Sequence, residues 1–229
     1  TYAPGLNECG MTLATTIKDE PYRYASGQPV NNWDNKYIGS ARVRYAIEHS
    51  MNVCAVRTLT ETVGLEKGYK YLENFGFTTL VNNDPNYPGM SDIAQATALG
   101  GITRGVYNIE MTAAYAAIAN SGIYTEPLLY TEILDHDGNV LIDNSKPITR
   151  RVLKESTAFL LTSAMQDVIN RGTGTPARLN NMPAAGKTGT TENSTDLWLS
   201  AYTPYYTCSV WTGYDAVSYT HLTLPTNSR

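Results

Sequence analysis

The sequence predicts an α+β fold, because helical patterns come first along the chain and paired strand patterns come last. In several segments before residue 171, apolar residues recur every three or four positions, as they do on the buried face of a helix. From Ala184 onward strand patterns dominate, and two of them span Leu197–Tyr202 and Tyr206–Thr212. This order favours an α+β arrangement over a doubly wound parallel sheet.

The first helix is predicted after a loop-rich stretch, residues 1–38, which contains several prolines and a run of polar residues. Ser40 is of a type that caps helix N-termini, so we expect a short helix to begin there. That helix would bury Val43, Ala46 and Ile47, which lie three or four positions apart.

The next two helices are each marked by an apolar face and by a glycine that ends it, Gly64 for the first and Gly76 for the second. Both are therefore predicted to pack against a core. The apolar faces consist of Val53, Val56, Leu59 and Val63 in one helix, and of Tyr69, Leu72 and Phe75 in the other.

The middle of the chain combines irregular and regular segments. Residues 78–105 are irregular, and Asn108 is then predicted to cap an alanine-rich helix that ends near Gly122. Residues 132–141 predict a β-hairpin, because Asp-Gly supplies the positive φ that a tight turn requires. A long amphipathic helix is predicted over residues 155–171.

Composition excludes several classes of protein. The net charge is −4 and no run of Lys or Arg exceeds two residues, so a nucleic-acid footprint is absent. The sequence has no apolar run of the roughly 18 residues that a membrane span requires. Cys9, Cys54 and Cys208 are far apart and odd in number, which favours small buried side chains over a zinc site or a disulfide framework.

The segment Gly186-Lys187-Thr188 has the ending of a phosphate-binding loop, G-x-x-x-x-G-K-[ST]. However, Asn181 stands where the first glycine is required, and the residues between cannot form the glycine-rich nest that cradles phosphate. Strand-like sequence follows the segment, whereas a phosphate loop leads into a helix. A nucleotide-binding site is therefore excluded.

As a strand at a sheet edge, the same segment suits an anionic peptide. Lys187 and Gly189 would point to one face and Thr188 to the other. Gly189 leaves room for a ligand backbone, Thr188 and Thr190 offer hydroxyls, and Lys187 fixes a positive charge. Taken alone, the segment fits equally well a charged edge strand that only prevents aggregation.

A second motif, Ser50-Met51-Asn52, lies at the predicted junction of two helices. A hydroxyl and a carboxamide two residues apart can project into one cleft from such a turn. By itself the pattern is more often a serine that caps a helix. The two motifs are 137 residues apart, from Ser50 to Lys187, so most of a helical region separates them.

Together the motifs resemble those of the penicillin-binding serine acyltransferases, which carry S-x-x-K, then S-x-N, then K-T-G. The flanking sequence is more similar to class A penicillin-binding proteins than to β-lactamases, and the similarity covers about residues 1–215. The similar segments are Tyr2–Leu6, Trp33–Gly39, Ser50–Val56, Thr112–Gly122, Arg171–Thr175, Leu197–Pro204 and Val210–Asp215.

The sequence departs from this pattern in two places. It contains no S-x-x-K, and Thr15-Thr16-Ile17-Lys18 imitates the motif only with threonine, so we expect the nucleophilic serine just before Thr1. Residues 216–229 abruptly lose the family pattern. We therefore predict a partial transpeptidase domain over residues 1–215, followed by a foreign-looking or disordered tail over residues 216–229.

The resemblance implies an antiparallel sheet flanked by helices, with a helical subdomain, and a D,D-transpeptidase or carboxypeptidase activity through a serine ester. Ser50 would relay a proton to the leaving amine, and Asn52 would hold the substrate's amide carbonyl. Lys187 would sustain a positive field, while Thr188 and Thr190 would bind the terminal carboxylate and the backbone N–H of Thr190 would stabilise the oxyanion.

The ligands implied are peptidoglycan stem peptides and β-lactams, with no metal, cofactor or nucleic acid. The whole protein is expected to be anchored at the extracytoplasmic face of a bacterial cytoplasmic membrane, with a glycosyltransferase domain, in a cell-wall synthesis complex. A serine β-lactamase, a β-lactam sensor domain and an inactive structural adaptor remain as alternatives. His136, between two aspartates, is interpreted as part of a solvated turn.

Overall fold

A computed structural model describes residues 1–191 and 195–213 of the chain. Groups of helices and groups of strands follow one another along the chain, and a three-stranded antiparallel sheet is the last group in the described part. The helices are α1 (Tyr2–Glu8), α2 (Val43–Glu48), α3 (Asn52–Arg57), α4 (Leu65–Asn74), α5 (Asn108–Ala119) and α6 (Glu155–Asn170).

Most of the strands are short and pair in twos, and only the last three form a larger sheet. The strands are β1 (Thr16–Asp19), β2 (Tyr22–Arg23), β3 (Pro29–Val30), β4 (Gly39–Arg42), β5 (Ile123–Thr125), β6 (Glu132–Leu134), β7 (Val140–Asp143), β8 (Thr149–Arg151), β9 (Ala185–Thr190), β10 (Asp196–Tyr202) and β11 (Thr207–Gly213).

The large sheet is antiparallel, with β10 between β9 and β11. Trp198 on β10 lies opposite Gly189 on β9 and Trp211 on β11, which fixes the register of all three strands. β9 is consequently the edge strand of this sheet among the described residues. Its partner strand continues through a tight connection at Thr203, whose backbone N–H donates to Tyr206 at 2.8 Å.

Helices α5 and α6 pack against this sheet, α6 on β9 and α5 on β10 and β11. The amphipathic helix predicted over residues 155–171 is confirmed as α6, because Leu161, Ala164 and Val168 are buried in the same core as Ala185 at the start of β9. The packing ties the K-T-G strand firmly to a long helix. The α+β prediction is confirmed as well.

The helical part, residues 43–119, contains α2 to α5 and carries the S-x-N motif at the junction of its first two helices. Val43, Ala46 and Ile47 are buried as predicted. The predicted cap at Ser40 is wrong. Ser40 lies in β4 opposite Lys18, and the helix begins only after Arg42, because pairing with β1 keeps this backbone extended.

Two other expectations need correction. Residues 1–38 were expected to be loop-rich without a helix at the start, but Tyr2–Glu8 forms α1, which tolerates Pro4 because it lies in the first turn. Cys54 is buried as predicted, whereas Cys208 is exposed. The hairpin over residues 132–141 is confirmed as β6 and β7.

No helix within residues 1–191 and 195–213 is both long and apolar enough to cross a membrane. The predicted boundary at residue 215 and the interpretation of residues 216–229 as a foreign tail lie outside the described residues. Both remain predictions.

Candidate active site

Ser50 and Lys187 meet, although 137 residues separate them along the chain. The Lys187 Nζ donates a hydrogen bond to Ser50 Oγ at 2.7 Å and another to the Thr188 carbonyl at 2.9 Å. Lys187 lies on the edge strand β9, and Ser50 lies in the turn between α2 and α3, as the sequence predicts. A lysine and a serine hydroxyl are thus held together beside an open sheet edge.

The turn that presents Ser50 is held in a specific backbone conformation. Ser50 has φ of +54°, in the left-handed region that is uncommon for non-glycine residues. Two backbone hydrogen bonds hold Ser50 in this conformation. The Ser50 N–H donates to the Ile47 carbonyl at 3.3 Å, and the Met51 N–H donates to the Ala46 carbonyl at 2.9 Å. The side chain therefore points across to Lys187 from a rigid turn rather than from a helix interior.

Lys187 is half-buried, and burial lowers the pKa of its ammonium from the ordinary 10.5 to about 8. Both groups that accept its described hydrogen bonds, a hydroxyl and a carbonyl, are uncharged. A desolvated ammonium without a carboxylate partner in these contacts favours the arrival of an anion. This is the electrostatic requirement for binding a peptide that ends in a carboxylate.

Asn52, at the start of α3, is not in a described hydrogen bond with Ser50 or Lys187. Its Nδ2 donates to the Asn31 carbonyl at 2.9 Å, across to the loop that precedes β4. A carboxamide carries two N–H donors and one acceptor oxygen, so one of these bonds leaves capacity for a ligand. The role predicted for Asn52, to hold a substrate carbonyl, remains a prediction.

The K-T-G residues differ in their surroundings. The Thr188 hydroxyl lies 2.7 Å from the Thr173 hydroxyl, and Thr190 is exposed at the end of β9. A side chain at Gly189 would begin 3.3 Å from the Trp198 Cβ, so the glycine keeps this face of the strand flat. The predicted carboxylate-binding roles of Thr188 and Thr190 and the steric role of Gly189 are predictions that this geometry permits.

The loop Arg171–Gly174 also borders the site, and the motif analysis assigned it no role. It follows α6 directly, and the Thr173 N–H donates to the Glu48 carbonyl at 3.4 Å. A side chain at Gly172 would begin 2.4 Å from that same carbonyl, so this glycine permits the close approach of the loop to the serine turn. The only sequence signal was the similarity of Arg171–Thr175 to the corresponding segment of the family.

An ion-pair network fastens this loop to the end of α2. The buried Glu48 pairs with Arg171, Oε2 to Nε at 3.1 Å, and with His49, Oε1 to Nε2 at 3.4 Å. Arg171 also pairs with Asp167 on α6 at 3.0 Å, and Asp167 pairs with Arg44 on α2 at 2.6 Å. Networks of this kind restrain several elements at once. Glu48 and Thr173 are site neighbours that motif reasoning did not find.

The part of the chain that the structure describes holds no cluster of three His, Cys, Asp or Glu side chains that could bind a metal ion. His136 is largely exposed and contacts only the adjacent Asp137 among its described ion pairs, at 3.2 Å.

The profile of the penicillin-binding protein transpeptidase domain matches residues 1–224. The chain belongs to this family. The resemblance inferred from the two motifs is therefore confirmed. Transpeptidase domains of this family are parts of larger proteins, and the chain spans about a quarter to a third of the curated relatives described next.

Penicillin-binding protein 1A of Clostridium acetobutylicum is 38% identical over 224 residues, which are 93% of this chain and 26% of that protein. Penicillin-binding protein 1A of Streptococcus pneumoniae is 36% identical over 234 residues, covering 93% of this chain and 31% of that protein. Both relatives support the class A assignment of this transpeptidase domain.

Solved structures show the same fold. Penicillin-binding protein 1A of Haemophilus influenzae superposes with a TM-score of 0.78 at 24% identity, covering 94% of this chain and 36% of that one. The penicillin-binding protein PonA1 of Mycobacterium tuberculosis gives the same TM-score and identity, covering 92% and 57%. The arrangement of α5 and α6 on the antiparallel sheet is thus that of the transpeptidase domains.

Proposed function

We propose that the protein to which this chain belongs is a D,D-transpeptidase that cross-links peptidoglycan stem peptides and is covalently blocked by penicillins. The observation that carries the proposal is the 2.7 Å hydrogen bond between Lys187 Nζ and Ser50 Oγ at the edge of the sheet. Two motifs that are unremarkable alone are brought into contact across the fold, as an acyl-transfer site requires.

The proposed reaction has two steps. A serine hydroxyl attacks the carbonyl carbon between the two D-Ala residues, and the C–N bond breaks with release of the terminal D-Ala. The amine of a second stem peptide then attacks the resulting ester, forming a new amide and restoring the serine. Residues 1–229 contain no S-x-x-K motif, so we propose that the attacking serine lies before Thr1.

Ser50 and Lys187 would serve proton transfer and charge stabilisation. The leaving amine needs a proton, and the Ser50 hydroxyl can deliver one because it accepts a hydrogen bond from the Lys187 ammonium. With a pKa lowered to about 8, Lys187 remains charged at neutral pH and still exchanges protons readily. Asn52 would orient the substrate amide through its remaining hydrogen-bonding capacity.

The edge position of β9 suits an extended substrate. A peptide that ends in a carboxylate can lie alongside an edge strand and pair with its backbone. Thr188 and Thr190 would bind the carboxylate, and the Thr190 N–H would contribute to oxyanion stabilisation. A solved structure of PonA1 from M. tuberculosis, which shares this fold, is in complex with penicillin V, and this supports a β-lactam as a ligand of the present chain's protein.

Hydrolysis of the ester, as in a β-lactamase, receives less support. A deacylating enzyme needs a carboxylate free to activate water. Glu48 lies two residues before Ser50, but its Oε2 is in an ion pair with Arg171 and its Oε1 lies 3.4 Å from the His49 Nε2. Because these contacts hold the Glu48 carboxylate, it is not free to activate water. This favours transfer of the acyl group to an amine acceptor over hydrolysis.

Several properties of the whole protein are part of the proposal. We infer a glycosyltransferase domain and a membrane anchor outside residues 1–229, and a location at the extracytoplasmic face of the cytoplasmic membrane in a cell-wall synthesis complex. Relatives named penicillin-binding protein 1A, of which the chain covers 26% to 31%, support a larger protein. Residues 1–229 alone are expected to capture no penicillin, because they lack the S-x-x-K serine.

The test is covalent labelling of the full-length protein with a fluorescent penicillin, together with release of D-Ala from a stem peptide. Wild-type protein should be labelled, and replacement of the S-x-x-K serine by alanine should abolish the label. Lys187→Met should reduce the labelling rate by about tenfold or more, as expected for loss of a charge-stabilising group.

Lys146→Met serves as the matched control, because Lys146 is exposed in the segment between β7 and β8. It should label at the wild-type rate. A full-length protein that folds but takes up no label, or a Lys187→Met variant that labels like wild type, would overturn the proposed function.

A further inference from the structure

Thr173 and Thr188 form a hydroxyl pair next to Lys187. Their Oγ1 atoms are 2.7 Å apart, which is the ordinary distance of an O–H···O hydrogen bond. Thr188 lies on β9 directly after Lys187, while Thr173 belongs to the loop after α6. Thr173 is exposed and Thr188 half-buried, so the pair is accessible to a ligand.

The loop holds Thr173 firmly in place. The N–H groups of Arg171 and Gly172 donate to the Asp167 carbonyl at 2.9 and 3.0 Å, and Gly174 N–H donates to the Val168 carbonyl at 2.9 Å. These bonds satisfy two of the last carbonyls of α6, those of Asp167 and Val168. The ion pair between Arg171 and the buried Glu48 adds a second attachment, to the serine turn.

The contacts therefore close into a ring. Ser50 accepts from Lys187, Lys187 is followed by Thr188, Thr188 meets Thr173, and Thr173 is bonded to Glu48 two residues before Ser50. A displacement of the loop would be transmitted to Thr188, and thus to the strand that carries Lys187. The ring connects the proton-transfer pair with the hydroxyls offered to the ligand.

The Thr173–Thr188 pair has a hydrogen-bond donor to offer a carboxylate. Each hydroxyl has one donor hydrogen and two acceptor lone pairs, and an ionised carboxylate only accepts. When Thr173 donates to Thr188, the Thr188 hydrogen is left for the ligand, and its oxygen is held by the loop. A hydroxyl that accepts one bond donates the next more strongly.

We propose that Thr173 is a positioning residue for the substrate's terminal carboxylate, acting by orienting the Thr188 hydroxyl toward it. The inference rests on the proposed transpeptidase function and assigns to the loop after α6 a part in recognising the anionic end of the ligand. Thr173 affects how well a carboxylate-bearing ligand binds, and it leaves the chemical step at the serine unchanged.

The test measures acylation of the full-length protein by a fluorescent penicillin over a range of concentrations, which separates the binding constant from the acylation rate constant. Thr173→Val preserves the shape and removes the hydroxyl. It should weaken binding about three- to tenfold, the effect of one hydrogen bond, with the acylation rate constant unchanged. Thr173→Ser should restore wild-type binding, because it restores the hydroxyl.

Thr175→Val is the matched control, since Thr175 is exposed two residues further along the same segment. It should behave like wild type. Equal binding by wild type and Thr173→Val, or a loss confined to the acylation rate constant, would overturn the inference. Failure of the wild-type protein to be labelled at all would instead overturn the proposed function.

A double-mutant cycle with Thr188→Val distinguishes orientation from general damage to the loop. If Thr173 acts through Thr188, the double variant should bind penicillin as weakly as Thr188→Val alone. Additive losses in the double variant would show that Thr173 acts independently of Thr188 and would contradict the proposal.

Discussion

Lys187 carries a titratable ammonium that is half-buried at the site. Its ammonium is half-buried and bonded to two neutral oxygens, Ser50 Oγ at 2.7 Å and the Thr188 carbonyl at 2.9 Å. Desolvation without a charged partner disfavours the protonated form, which is why the pKa falls to about 8. At the residue scale, the site therefore contains a lysine whose pKa of about 8 lies near neutral pH.

We expect an NMR titration of the Lys187 side chain in this chain to give a midpoint near pH 8, against the ordinary 10.5. The Lys187→Arg variant identifies the resonance, because its signal disappears. The unfolded chain binds more protons between these two values, so Lys187 makes the free energy of unfolding rise as pH increases from about 8 to 10.5. A midpoint at the ordinary lysine value would show that the ammonium remains fully hydrated.

At the scale of elements, the close pairing of β9 with β10 requires a glycine at position 186. A Cβ at Gly186 would lie 2.7 Å from the Ala201 Cβ and 2.8 Å from the Ser200 carbonyl, both on the neighbouring strand. The backbone carbonyl cannot move without disturbing the strand pairing. By comparison, the nearest atom to a Cβ at Gly189 is the Trp198 Cβ at 3.3 Å.

Gly186→Ala should therefore lower the thermal midpoint of unfolding by several degrees, as expected for an overpacking penalty of about 1–3 kcal/mol in a domain of this size. Gly189→Ala is the matched control on the same strand, and its midpoint should fall by less than half as much. Circular dichroism melting curves of the two variants and the wild type make the comparison. Equal shifts in the two glycine variants would contradict the steric explanation.

Elements with a local cause could be predicted from the sequence, and those with a tertiary cause could not. The hairpin follows from Asp137-Gly138, since Gly138 has φ of +86°. Ser40 has the chemistry of a helix cap, yet pairing of β4 with β1 keeps it extended. The propensity was overridden by a contact with Lys18, which the local sequence does not reveal.

The same distinction applies to the site. Ser50 and Lys187 could be identified because their motifs are short and contiguous, and the fold then brings them together. Thr173 and Glu48 could not be identified, because their relevance arises only when the loop after α6 meets the end of α2. Contacts between segments far apart in sequence carry no local pattern.

At the scale of the whole molecule, the hairpin of β6 and β7 stands apart from the core. Every residue of both strands is exposed, and these strands pair only with each other in the sheet arrangement described for residues 1–191 and 195–213. Its ends lie side by side, because Asn144 N–H donates to the Thr131 carbonyl at 2.6 Å. Such a hairpin contributes little to the stability of the domain.

Replacing residues 132–143 by an Asn-Gly turn should therefore leave the thermal midpoint of unfolding within about two degrees of wild type. Leu153→Ala is the contrasting variant, because Leu153 is 1% exposed and lies in the core shortly after the hairpin. It should cost about 2–5 kcal/mol and lower the midpoint clearly. A loss of stability on replacing the hairpin that matches the Leu153→Ala loss would show that the hairpin packs on the domain.

The distance along the chain between Ser50 and Lys187 has a consequence for folding. Closing a loop of 137 residues is entropically costly, so contacts of this range form late, after local helices and hairpins. A partly folded molecule can contain every helix named above and still lack the lysine–serine contact. On the proposed function, the full-length protein therefore becomes competent to react with penicillin only at the end of folding, and penicillin labelling then counts its fully folded molecules.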